Sequence, residues 1–152
     1  MKMLKPKKFK IKKIVKDQKT IRVIEKGEKF DFSFQRNYII NNHNINNFSG
    51  FHAHKKLYQL VFCIRGKVKI VLDDKISSFS YELDNPDFAV IIPPGYWRIL
   101  KLSKNSIVSV LASSVFHRND YIKNYDKLKN HKKIDFNGVE ECNNILKNKF
   151  IN

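Results

Sequence analysis

Leu60-Val61-Phe62-Cys63-Ile64-Arg65-Gly66-Lys67-Val68-Lys69-Ile70-Val71-Leu72-Asp73-Asp74 decides the fold. An apolar run meets a turn signal at Arg65-Gly66, where glycine can take a positive φ. Beyond it, Val68, Ile70 and Leu72 alternate with Lys67, Lys69 and Val71 before two aspartates end the run. Alternation with period two marks a strand with one buried face. The unit recurs downstream. Phe79 to Leu83 ends before Pro86, Phe88 to Ile92 is stopped by Pro93-Pro94-Gly95, and Trp97 to Leu102 and Ile107 to Ala112 follow. Upstream, Phe9, Ile11 and Ile14 allow a short lead-in strand. Thr20 to Glu25, Phe30 to Phe34 and Arg36 to Ile40 read as strands, and Asn41 to Asn47 as a loop. Many short strands between turns, with almost no helical periodicity before residue 118, predict an all-β antiparallel sandwich or barrel. Asn119-Asp120 can cap a short helix through Lys127, and a second is expected from Val139 to Lys149.

At 152 residues the chain has room for one domain, with a barrel over about 10–115 and a polar, partly helical tail over about 118–152. Hydrophobic residues make up 42%, including twelve Phe, enough for a packed interior. The net charge of +16 could attract nucleic acid or another polyanion. Its distribution argues against that, because nine lysines fall in the first nineteen residues and the middle of the chain is far less basic. No nucleic-acid partner and no membrane association are expected. No stretch approaches a membrane span, and the basic start lacks the apolar segment of a signal peptide. Two cysteines, Cys63 and Cys142, make no disulfide framework, which fits a cytoplasmic setting.

The candidate site is Gly50-Phe51-His52-Ala53-His54-Lys55-Lys56-Leu57-Tyr58-Gln59. On a strand His52 and His54 point the same way and Phe51 and Ala53 the other. Two adjacent imidazoles suit a metal or proton transfer, against a bland reading as a solvated strand face. A metal-binding cupin would add a glutamate and a third histidine after the Pro-x-Gly turn. Here Gln59 is a neutral ligand, Trp97 cannot ligate, and Arg98 would repel a cation. No metal is expected. An arginine suits an anionic ligand or a developing enolate oxygen, and histidine, with a pKa of about 6.5, suits proton transfer near neutrality. Tyr38, on a preceding strand, is a candidate partner, with ordinary barrel packing as its alternative. Trp97 and Lys56 join Arg98 and Gln59 as candidate ligand contacts.

His52-Ala53-His54-Lys55-Lys56-Leu57-x-Gln59, Gly66, Val71-Leu72-Asp73-Asp74, Pro93-Pro94-x-x-Trp97-Arg98, Val110-Leu111-Ala112-Ser113 and Asp120-Tyr121-Ile122-x-x-Tyr125-Asp126 occur in this order. Together they resemble the sugar-nucleotide 3,4-ketoisomerases of the WxcM-like cupin family. The resemblance spans roughly residues 10 to 128. It implies a jelly-roll barrel, a homodimer with exchanged N-terminal strands, and dTDP-4-keto-6-deoxyglucose as substrate. The keto group would move from C4 to C3 through an enediol, without a cofactor. The product would feed synthesis of a 3-amino-3,6-dideoxy sugar for surface polysaccharide. The resemblance assigns proton transfer to His52 and His54, with His54 taken as principal base and Tyr38 assisting. Where the family commonly has Arg-Gly before the histidines, this chain has Ser49-Gly50. The alternative function is a non-catalytic sugar-nucleotide-binding module on the same barrel, with a basic nucleic-acid binder behind it.

Overall fold

A computed structural model of the chain describes residues 5–27, 29–45 and 47–128. Twelve strands are found among them: β1 (Lys7–Lys10), β2 (Lys12–Lys16), β3 (Lys19–Val23), β4 (Arg36–Asn41), β5 (Asn47–His54), β6 (Gln59–Arg65), β7 (Val68–Asp73), β8 (Ser78–Leu83), β9 (Phe88–Ile92), β10 (Trp97–Leu102), β11 (Ile107–Ala112) and β12 (Tyr121–Ile122). Two five-stranded antiparallel sheets face each other, in the orders β1-β9-β6-β11-β4 and β12-β5-β10-β7-β8, and β2 and β3 form a separate hairpin. This is the expected antiparallel jelly roll.

Strand alternation places the core. Val61 and Cys63 of β6, Ile70 and Leu72 of β7, Leu100 and Leu102 of β10, and Val108 and Val110 of β11 meet between the sheets. Each fully buried aliphatic side chain contributes about 1.5–3 kcal/mol by leaving water. Strands that are apolar on both faces are covered on both. The outer face of the first sheet buries Leu60, Ala89 and Ile91 against Phe9, Ile11 and Phe30. That of the second buries Ala53, Val71, Trp97 and Ile99 against Leu128.

Two local expectations differ from the structure. Phe30 to Phe34 forms no strand beyond a bridge between Gly27 and Phe30. Its alternating phenylalanines pack on one another instead, Phe30 lying 5.1 Å from Phe32 and 5.2 Å from Phe34. Ring packing and strand pairing leave the same period-two signature. The helix expected from Asn119 is two single 3-10 turns, Arg118–Asp120 and Tyr125–Lys127, separated by β12. Pairing of Tyr121 with His54 and of Ile122 with Ala53 holds this segment extended along β5. The helix expected over Val139 to Lys149 and Cys142 lie outside the described residues.

Candidate active site

The site forms where the two sheets open at one end. Gly50 and Phe51 have φ of +100° and +54°. The register steps from Arg98 opposite His52 to Ile99 opposite Gly50, so that Phe51 is the extra residue on β5. This bulge turns the end of β5. Past it, His52 and His54 face the same way, as alternation requires, with their Nε2 atoms 3.2 Å apart and their rings perpendicular.

Each imidazole is anchored through its other nitrogen. His52 Nδ1 donates to the Gly50 carbonyl at 2.8 Å. His54 Nδ1 donates to Asp120 Oδ2 at 2.9 Å. The second oxygen of Asp120 accepts the backbone N–H of Lys56 at 2.9 Å. Tyr121 packs on both rings, at 4.8 Å from His52 and 4.4 Å from His54.

A cavity of about 360 Å³ opens in front of His52, lined also by Tyr38, Gln59, Arg98, Ser49 and Tyr121. Gln59 donates to the Tyr38 hydroxyl at 2.9 Å, so the Tyr38 O–H is left to donate elsewhere. Tyr38 keeps 37% of its surface exposed, yet its hydroxyl reaches the buried Gln59, and burial raises its pKa. It therefore stays protonated at neutrality. A neighbouring hollow of about 1100 Å³, with His54, Lys55, Arg118 and Tyr121 on its wall, lies beyond β12.

Arg98 sets the electrostatics. It is 2% exposed. Its Nη2 reaches the Tyr96 carbonyl at 3.4 Å, while among the described residues Nε and Nη1 have no hydrogen-bond partner. Burial lowers its pKa to about 10, opposed by Tyr38, Tyr121 and Asp120, so it remains a cation at pH 7. Burying such an ion costs several kcal/mol, and among the described residues no carboxylate lies within ion-pair distance of it. Burial first and Arg98 second push His52 down to about 4. The same two causes, then His52, lower His54 against the pull of Asp120. Both rings are thus neutral at pH 7. No cluster of three or more His, Cys, Asp or Glu side chains suited to a metal occurs among the described residues. The donors around His52 are an amide, a phenol and a guanidinium, a set fitted to an anionic oxygen.

His52, Tyr38, Gln59 and Arg98 are therefore gathered at one cavity, with His54 directly behind His52. Trp97 and Lys56 are not. Trp97 is next to Arg98, so it points to the opposite face of β10, where it packs on Tyr125 at 5.4 Å. Placing it among ligand contacts is corrected by strand parity. Lys56 is exposed and lines neither cavity; its backbone N–H, not its ammonium, enters the site. Sequence reasoning does not place Asp120 and Tyr121 beside the histidines, where the structure puts them. The signal is the Asp120-Tyr121-Ile122 element itself, whose aspartate reads as a helix cap.

The model of the WxcM-like, C-terminal family (FdtA) matches residues 5–133. A TDP-4-oxo-6-deoxy-α-D-glucose-3,4-oxoisomerase from Aneurinibacillus thermoaerophilus is 33% identical over 121 residues, 79% of this chain and 87% of that protein. The structure is similar to QdtA, a sugar 3,4-ketoisomerase from Thermoanaerobacterium thermosaccharolyticum solved in complex with TDP. The TM-score is 0.73 and the identity 32%, over 80% of this chain and 89% of that one. It also resembles WlaRB, a TDP-quinovose 3,4-ketoisomerase from Campylobacter jejuni, with a TM-score of 0.76 and 30% identity over 82% and 98% of the two chains. By its sequence, its jelly roll and the extent of these matches, the chain belongs to the WxcM-like FdtA family.

Proposed function

We propose that this chain is a sugar-nucleotide 3,4-ketoisomerase that converts dTDP-4-keto-6-deoxyglucose to a dTDP-3-keto-6-deoxyhexose by histidine-mediated proton transfer. The observation that carries this reading is the neutral His52, backed by His54, facing a cavity lined also by the buried cation Arg98 and by Tyr38. The names of the relatives supply the substrate class.

The chemistry needs no outside electrons. The C3–H bond breaks, its electron pair forms the C3=C4 bond, and the C4 carbonyl oxygen takes up a proton. Then O3 loses its proton, the C3 carbonyl forms, and C4 receives a proton. His52, on the cavity wall, takes the proton from carbon and returns it to the neighbouring carbon. This assigns the direct role to His52 rather than His54, which lies behind it with Nδ1 committed to Asp120. Arg98 and the Tyr38 O–H stabilise charge developing on the sugar oxygens, a contribution of about 10²–10³ in rate for a well-placed donor. The oxygen-binding donor set supports a reaction without metal.

The active form is a homodimer. Support comes from the β2–β3 hairpin, which pairs with neither sheet and exposes Ile14, Val15 and Ile21. The chain acts in the cytoplasm, beside the enzymes that make and consume activated sugars, and its product serves an amino-sugar route to surface polysaccharide.

The test is to incubate purified protein with dTDP-4-keto-6-deoxyglucose and read the ring proton spectrum. Appearance of the 3-keto isomer with wild type, and its absence with His52→Asn at retained nucleotide binding, supports the reading. Binding without conversion by wild type replaces it with the non-catalytic module.

A further inference from the structure

We propose that Asp120 is a positioning residue that fixes the tautomer of His54, so that His52 and His54 act as one composite base, a cradle for a single proton. This rests on the ketoisomerase reading of the same site.

The argument follows the hydrogen atoms. A carbonyl oxygen can only accept, so the 2.8 Å contact with Gly50 puts a proton on His52 Nδ1. An ionised carboxylate can only accept, so the 2.9 Å contact with Asp120 puts a proton on His54 Nδ1. In neutral rings both Nε2 atoms are then bare. They face each other at 3.2 Å, a hydrogen-bond distance with no hydrogen to fill it. Two converging lone pairs repel, and one proton between them removes the repulsion by making an N–H···N bond. The geometry thus favours uptake of one proton and disfavours a second. Burial and the charges of Arg98 and Lys123 oppose uptake, Asp120 favours it at His54, and the Tyr38 phenol, its pKa raised by burial, stays neutral nearby. A base balanced in this way takes a proton from carbon and gives it back.

Asp120 is itself held firmly. Its other oxygen accepts Lys56 N–H, and its carbonyl accepts Lys55 N–H at 2.9 Å. The Lys56 bond has a consequence for substitution. In Asp120→Asn the amide oxygen must face Lys56 N–H, because the NH₂ cannot accept. The NH₂ then faces His54 Nδ1, which must become the acceptor. His54 is forced to the Nε2–H tautomer, and the cradle is filled permanently. Asp120→Ala removes the carboxylate but leaves His54 free to adopt either tautomer.

The experiment uses the full chain with ¹⁵N-labelled histidine. At pH 7 the imidazole spectrum of wild type is expected to show Nδ1 protonated and Nε2 bare on both rings. In Asp120→Asn, His54 is expected in the opposite tautomer. Turnover of dTDP-4-keto-6-deoxyglucose should fall at least about 100-fold, as for loss of a positioned base, with KM little changed. It should also be lower in Asp120→Asn than in Asp120→Ala. A purely structural role reverses that order, since asparagine preserves the shape that alanine removes. The proposal is overturned if wild-type His54 carries its proton on Nε2, or if Asp120→Asn is as active as Asp120→Ala. The wild-type spectrum decides even if neither variant folds. It also separates the two claims: a wild type with the expected tautomers and no turnover sinks the ketoisomerase reading and leaves the cradle standing.

Discussion

The backbone of Gly50 lies against that of Arg98 so closely that a Cβ on Gly50 would sit 2.6 Å from the Arg98 carbonyl oxygen. Gly50 also has a φ of +100°, which a residue with a side chain adopts only under strain. The contact couples the histidine strand to the strand that carries the buried cation. Gly50→Ala is expected to destabilise the fold by about 1–3 kcal/mol through strain and forced displacement. It should also lower turnover, because Gly50 O anchors His52. Urea unfolding and initial rates check both effects.

Arg98 is expected to separate stability from activity. Its burial costs several kcal/mol, and among the described residues no carboxylate lies within ion-pair distance of it. Arg98→Met should leave stability unchanged or raise it by about 1–3 kcal/mol, while turnover falls about 10²–10³-fold. Loss of both together in thermal unfolding and rate measurements would make Arg98 structural.

The pH profile follows from the depressed histidines. The base must be neutral, and His52 titrates near 4. The acidic limb of kcat/KM should therefore lie well below the 6.5 of an ordinary imidazole, with full activity retained at pH 6. An inflection at 6.5 would contradict the site's electrostatics. The same shift acts on stability. Between pH 6.5 and about 4 the unfolded chain binds a proton at His52 that the folded one does not, so stability falls as pH falls and levels off below 4. Unfolding midpoints across that range should fall less steeply in His52→Gln.

Trp97 is expected to matter for folding and not for binding. Trp97→Ala should cost about 3–5 kcal/mol by emptying a packed outer-face site. In Trp97→Phe, KM for the sugar nucleotide should match wild type. A large rise in KM with intact stability would return Trp97 to the cavity.

Much of this was legible in the sequence. Alternation and turns placed β6 to β11 to within a residue or two, and the spacing of His52 and His54 placed both rings on one face. Parity also contained the answer for Trp97, since adjacent residues on a strand face opposite ways and Arg98 faces the cavity. Asp120 was harder to see. Nothing in its local pattern distinguishes a helix cap from a carboxylate delivered to a distant histidine, because the deciding event is pairing of β12 with β5 across the chain. Phe30, Phe32 and Phe34 show the same limit, where alternation served ring packing instead of a ladder.

The most direct measurement is NMR of dTDP-4-keto-6-deoxyglucose with the purified chain in deuterated water. The expected result is the 3-keto isomer, formed by wild type and not by His52→Asn. A substrate that binds but keeps its keto group at C4 would contradict it.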